Sequence, residues 1–286
     1  MKRASVNGVE LEYETHGSGD PLILLHGGLL AQENAPLARA EELTSRYEVV
    51  NYHRRGFAGS TRNPGIRVSL SEQAGDCVAL MEYLKLDRAH LVGHSLGGAI
   101  ALQVALDRPD LVRSLVLLEP ALMGAISKAQ ATGSPDAAAS QKAFAADFGR
   151  VLAIAETGDK RAALLAFLES RAGEAFRDVL DYLTASGEFE QAVKDADTFL
   201  QVEMPAAFAW SFTPADAARV RQPVLSVLGA HSSPRAHLVH KVLSAWVPQT
   251  ELQILSRADH ALPLMDPAGI ARDIADFLDR HRVAAV

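Results

Sequence analysis

The chain has 286 residues, 28 Lys and Arg against 35 Asp and Glu for a net charge of −7, and 48% hydrophobic residues with a single Cys. That length is enough for a sizeable core, and the negative charge argues against nucleic acid or an anionic membrane surface as a partner. Cys77 alone cannot form an internal disulfide, which excludes the disulfide-stapled secreted class, fits a reducing, cytoplasmic setting and leaves the thiol to the core.

Residues 1–8 begin with Lys2 and Arg3 but reach no apolar run of signal-peptide length, and no stretch approaches the about 18 apolar residues of a membrane span. Short apolar runs bounded by turn residues predict strands at Gly8–Thr15, Pro21–His26, Tyr47–His53, His90–Gly93, Ser114–Glu119, Val224–Gly229 and Glu251–Leu255. Helical periodicity marks Ser71–Leu86, with Ala74, Val78, Met81 and Leu84 on one stripe, then Leu96–Leu106, Arg235–Val247 and Pro267–Arg280. Such alternation predicts an α/β fold, a mostly parallel central sheet with helices on both faces. The pattern breaks between Met123 and Pro214, an Ala-rich stretch with Pro135, Pro205 and Pro214, a loop at 132–136 and no convincing strand. Because strand pattern resumes at Val224, residues 123–214 read as a helical cap inserted into a core made of 1–122 and 215–286.

The chemistry concentrates at Leu91-Val92-Gly93-His94-Ser95-Leu96-Gly97-Gly98, where a short apolar strand runs through Gly-x-Ser-x-Gly into a helix. A sharp strand-to-helix turn exposes the serine hydroxyl at the sheet edge and aims the first unpaired amides of the helix at the same point. An ordinary Gly-rich turn between strand and helix is the bland alternative.

With these residues the chain resembles the α/β-hydrolase superfamily, and the resemblance covers nearly its whole length, the cap least. It implies an α/β-hydrolase fold with Ser95 as nucleophile. By position, Leu24-Leu25-His26-Gly27-Gly28-Leu29 matches the family's oxyanion segment, implying that the backbone N–H groups of Leu29 and Leu96 form the oxyanion hole. Arg54-Arg55-Gly56-Phe57-Ala58-Gly59-Ser60 similarly resembles a family loop, with His53 near the usual place of an Asp; its glycines suit a tight crossing and need no chemistry.

A serine hydroxyl needs a base to take its proton. Of the 10 histidines, His260 lies between the last strand and the last helix, where the family places its catalytic histidine. His94 precedes the nucleophile and points elsewhere, so it is not the base, though with Gly28 it belongs among the substrate-binding positions. His237 and His240 share a helix but find no third ligand, so a metal site is not expected.

A carboxylate must hold the imidazole in the right tautomer. Most relatives carry an Asp after the strand Val224–Gly229, yet here the loop reads Ala230-His231-Ser232-Ser233-Pro234, with Ser232 where the acid is expected. Asp259 is too close along the chain to reach His260 well. Glu119, ending the preceding core strand, is the alternative, and a minority of α/β hydrolases, including lactonases of the zearalenone-hydrolysing type, resemble this layout. Its plain alternative is a strand-end carboxylate that caps a turn or pairs with an Arg.

The triad Ser95, His260 and Glu119 implies hydrolysis of carboxylic esters or lactones through an acyl-enzyme, with no metal, nucleotide or flavin cofactor. Met204, Phe208, Trp210 and Phe212 stand as a candidate apolar wall of the substrate pocket, with packing of the cap on the core as the alternative. Two readings compete. The missing acid at Ser232 suits a ligand-binding homologue with little turnover, and the same residues serve carbon-carbon cleavage, perhydrolysis or cyanohydrin lysis. The expected partner is a small ester or lactone; no feature fixes the oligomeric state, and a homodimer is compatible with the chain.

Overall fold

A computed structural model describes residues 1–62, 67–126 and 135–281. Eight strands form one sheet: β1 (Lys2–Val6), β2 (Val9–His16), β3 (Asp20–Leu25), β4 (Tyr47–His53), β5 (Ala89–His94), β6 (Val112–Leu118), β7 (Val224–Gly229) and β8 (Thr250–Leu255). The spatial order is β1-β2-β4-β3-β5-β6-β7-β8. Pairing is antiparallel from β1 through β2 to β4 and parallel across the rest.

Strand β1 is an addition to the seven strands expected. It alternates exposed Lys2, Arg3 and Ser5 with buried Ala4 and Val6 and joins β2 through Asn7-Gly8. Both turn residues have positive φ, 48° and 76°, the backbone of a tight hairpin turn.

The inner strands are apolar on both faces, and their period of two sorts their side chains into separate cores. Ile23, Leu25, Leu91, Leu115 and Leu117 pack under the helices Leu70–Tyr83, Leu96–Asp107 and Pro234–Trp246. Leu22, Leu24, Val92, Val116 and Leu118 face the helix Pro267–Arg280 and the short helices Ala35–Ala38 and Glu41–Thr44. The helix Leu70–Tyr83 begins earlier than its stripe suggests because Ser69 and Glu72 form a reciprocal capping box. Cys77 on its inner face is fully buried, and burial pushes the thiol up to about 12.

Between β6 and β7 the described residues hold helices and no strand. The helix Pro135–Glu156 absorbs the end of the expected loop, whose residues 132–134 lie outside those described. Lys160–Ala172, Phe176–Ser186, Glu188–Asp197 and Met204–Ala209 follow, with a π-helical turn over Thr198–Glu203. They share a third apolar core with Leu29 and Leu30 of the sheet domain.

This helical layer is fixed to the sheet at the loop after β4. Thr198 Oγ1 donates to the Gly56 carbonyl at 2.9 Å, Ala58 N–H donates to Asp195 at 3.0 Å, and Arg62 pairs with the same carboxylate. Beneath them Arg54, 1% exposed, spends its guanidinium on Glu203 at 2.7 Å, on Gln73, and on the His26 and Gly27 carbonyls at 3.1 and 2.7 Å. Gln73 Nε2 closes the network by donating to Glu203 at 2.7 Å. The loop is therefore structural, as its glycines suggest, but its leading arginine is the buried charge that joins three elements.

A buried ion pair contributes little net, yet removing one partner strands the other charge. Glu203→Gln is accordingly expected to cost about 3–5 kcal/mol in urea unfolding. A loss under about 1 kcal/mol, the size of an exposed pair, would show that the pair carries no such burden.

Candidate active site

Ser95 sits at the tip of the β5-to-helix turn with φ 49° and ψ −114°, a backbone conformation costly for a side chain. The turn holds because Ser95 N–H donates to the Leu118 carbonyl at 2.9 Å, while the Ser95 carbonyl accepts from Gly98 and Ala121 at 3.1 and 2.8 Å. Close passage of the chain explains the flanking glycines: a Cβ at Gly97 would collide with the Leu25 carbonyl, and one at Gly93 with the Gly97 carbonyl.

His260 stands in the loop after β8 and its Nε2 accepts from the Ser95 hydroxyl at 3.2 Å. Its Nδ1–H donates to Glu119 Oε2 at 2.7 Å, so the partners of both ring nitrogens fix the tautomer. Glu119 follows β6 with φ 45° and is anchored by its own N–H to the Val227 carbonyl at 3.1 Å. Its second oxygen accepts from Gly229 N–H at 2.8 Å and from the Ser232 hydroxyl. Thus Ser232, in the loop where an acid was expected, serves as a donor that orients the acid of the neighbouring strand. Burial disfavours the ionised carboxyl, but the hydrogen bond and charge of His260, then Ser232 and Gly229, outweigh it and hold Glu119 below the usual range. Asp259 takes no part in the chain; it accepts from Ala261 N–H at 2.8 Å, and burial raises it.

Around this line lie the other expected positions. Gly28, Leu29, Leu96 and His94 all border one cavity with Ser95, Glu119 and His260. The amides of Leu29 and Leu96 have no backbone or side-chain acceptor among the described residues, and Leu96 opens the helix. Gly28 lies against Phe199, whose ring would stand 3.1 Å from an added Cβ.

His94 forms a second carboxylate pair next to the first. Its Nδ1 contacts Glu33 Oε1 at 2.7 Å and its Nε2 the His260 carbonyl at 2.9 Å, so acceptors face both nitrogens. Burial opposes a charge on His94, but Glu33 outweighs it and raises the imidazole. Glu33 also accepts from Gly27 N–H at 2.5 Å, tying the oxyanion segment to the same pair. His26 is different: burial, then Arg54 and His53, keep it neutral, with Nε2 accepting from Arg54 N–H at 3.0 Å and Nδ1–H donating to the Gly27 carbonyl at 2.8 Å.

Of the expected apolar wall only Met204 lines the cavity, joined by Phe199, which was not among the expected residues. Phe208 is 45% exposed and packs edge-on against Phe144 and at a tilt to Phe148, one turn beyond the cavity. The helix ends at Ala209, so Trp210 and Phe212 leave its face altogether. Trp210 Nε1–H donates to Gln103 at 2.7 Å and its ring stacks on Phe212, both buried in the sheet domain's core. Phe144, Phe167, Leu168, Arg171 and Arg235 are among the other residues of the wall. A helical face betrays part of it, since Leu164, Phe167, Leu168 and Arg171 recur at helical spacing. His237 joins no metal-ligating cluster among the described residues, and His240 Nδ1 contacts Ser226 Oγ at 3.0 Å. No helix among them is long and apolar enough to cross a membrane.

A mostly parallel sheet with a strained serine at a strand-to-helix turn and a histidine in reach is the arrangement of a hydrolase fold. The chain belongs to the alpha/beta hydrolase fold family, whose family model matches residues 20–267. It is 38% identical over 122 residues to the putative carbamate hydrolase RutD of Caulobacter vibrioides, which is 41% of this chain and 45% of that protein. The chain thus aligns with under half the length of that curated relative. Among solved structures it is similar to a thermophilic esterase from Thermogutta terrifontis, with TM-score 0.79, 19% identity and coverage of 99% of this chain and 100% of that one. It is also similar to the enol-lactonase of Burkholderia xenovorans LB400, with TM-score 0.75, 20% identity and coverage of 97% and 100%.

Proposed function

We propose that the protein is a serine hydrolase of carboxylic esters or lactones, working through Ser95, His260 and Glu119 under a cap formed by residues 123–214. The observation that carries this reading is the unbroken hydrogen-bond line from Glu119 through His260 to Ser95, opening on a mostly apolar cavity.

In the first step Ser95 Oγ attacks the substrate carbonyl carbon while His260 Nε2 takes the hydroxyl proton. The carbonyl oxygen becomes an oxyanion held by the Leu29 and Leu96 amides, and Glu119 stabilises the imidazolium. Collapse breaks the acyl C–O bond, and His260 gives its proton to the departing alkoxide, which in an opened lactone stays tethered to the acyl group. Water then attacks the acyl-enzyme with His260 again as base, releasing the acid and restoring Ser95.

A fluorophosphonate probe is expected to label the purified protein on the peptide that carries Ser95, read by mass spectrometry. A panel of p-nitrophenyl esters, lactones and carbamates on the same sample then ranks the substrates; carbamates enter because the Caulobacter relative is named for them. Absence of both labelling and turnover would overturn the reading in favour of a binding homologue.

A further inference from the structure

Two guanidinium groups interrupt the apolar wall of the cavity. Arg171 lies in the last turn of Lys160–Ala172, and Arg235 in the first turn of Pro234–Trp246. They meet at one ring: Cζ of Arg171 is 5.2 Å and Cζ of Arg235 4.7 Å from the centroid of Phe144. Aromatic faces attract cations, but far less than a counter-ion does.

Their other contacts answer the charge of Arg171 from outside the cavity and leave that of Arg235 without a counter-ion among the described residues. Arg171 pairs with Asp147 at 3.1 Å, and that carboxylate is 49% exposed, outside the cavity wall. Arg235 has no carboxylate within ion-pair distance among the described residues; it reaches Gln141 Oε1 at a long 3.4 Å and Met123 Sδ at 3.0 Å. A neutral amide and a thioether are weak answers to a group with five donors. Burial, with Arg171 nearby, lowers Arg235 to about 10, which still leaves it charged at neutral pH. Two like charges drawn out of water beside each other are stabilised by an anion between them.

We propose that the substrate bears a free carboxylate, gripped by Arg171 and Arg235 while its ester or lactone carbonyl rests at Ser95. The substrate class is then a half-ester or lactone derived from a dicarboxylic acid. This rests on the hydrolase reading and narrows it. The planar forks of two arginines fit a carboxylate in a way that no apolar acyl chain uses. Apolar walls would hold the methylenes between the two ends.

The test compares the mono-p-nitrophenyl ester of glutaric acid with its methyl-capped diester, which replaces the terminal charge by a neutral methyl ester, with release of p-nitrophenol as the readout. The native enzyme is expected to favour the free carboxylate by about 10- to 100-fold in kcat/KM, chiefly through KM. Arg235→Gln should lower that preference by about tenfold or more, and Arg235→Lys should restore part of it. A native preference under threefold, or a preference unchanged in Arg235→Gln, overturns the proposal.

Failure of the hydrolase reading would look different, with neither ester cleaved and Ser95 unlabelled. The arginine site is then judged by glutarate alone. A rise in melting temperature in native protein that disappears in the Arg171→Gln, Arg235→Gln double variant supports it; no rise, or equal rises in both, overturns it.

Discussion

Alanine at position 95 is expected to lower kcat/KM for activated esters by about 10⁴- to 10⁶-fold and to abolish fluorophosphonate labelling. The loss belongs in kcat, because the cavity wall and the Leu29 and Leu96 amides survive the change. What disappears is the oxygen 3.2 Å from His260 Nε2, and with it the acyl-enzyme. The fold should tolerate the change well. Ser95 already holds φ 49°, so alanine adds no backbone strain, and among the described residues the hydroxyl it removes bonds only His260. A variant that melts within a few degrees of the native protein yet keeps more than a tenth of its turnover would show that the reaction runs without this serine.

Glu119→Gln should lower kcat by about 10³- to 10⁴-fold with little change in KM. A carboxylate accepts at both oxygens, and both are in use: His260 Nδ1–H on one side, Gly229 N–H and the Ser232 hydroxyl on the other. An amide carries a donor at one end. If its oxygen keeps His260, its NH₂ confronts the Gly229 N–H; if its oxygen keeps Gly229, His260 loses the acceptor that sets its tautomer. The stranded donor adds about 1–3 kcal/mol of instability. Because Glu119 is held below the ordinary carboxylate range, its stabilising contribution is present above the unfolded value and is lost only as pH falls through the lower, folded one. The gap in melting temperature between native and Gln proteins should therefore be full at neutral pH and close in acid. A gap that widened in acid would mean that Glu119 is protonated in the native protein.

The hydrogen-bonded line of Ser95, His260 and Glu119 was legible in the sequence because each member is held by backbone geometry. Gly93 and Gly97 are demanded by the chain crossing at Ser95, and His260 and Glu119 stand at strand ends that an apolar run announces. Glu119 could be reached by noticing that its neighbour loop lacked an acid; that Ser232 would answer as a donor could not, since only the folded pair brings the two strands' ends together. The first strand was missed although Asn7-Gly8 is a strong hairpin signal. The cavity wall was the hardest part to read. Periodicity says which residues share a helical face but not what that face meets, and a π-helical turn at Thr198–Glu203 shifts the phase just before Met204. Met204 therefore lines the cavity while Phe208, Trp210 and Phe212 do not. Glu33 lies in a loop with no period at all, and only its contacts with His94 and Gly27 disclose it.

The Arg54–Glu203 pair links the two ends of the active site mechanically. Arg54 grips the carbonyls of His26 and Gly27, just ahead of Leu29, and Glu203 belongs to the helical layer. Raising the layer at this point would bare two opposite charges and loosen the oxyanion segment at once. The helical layer is thus pinned to the sheet at this edge twice over, by the buried pair and by the contacts of Thr198 and Asp195 with the loop after β4.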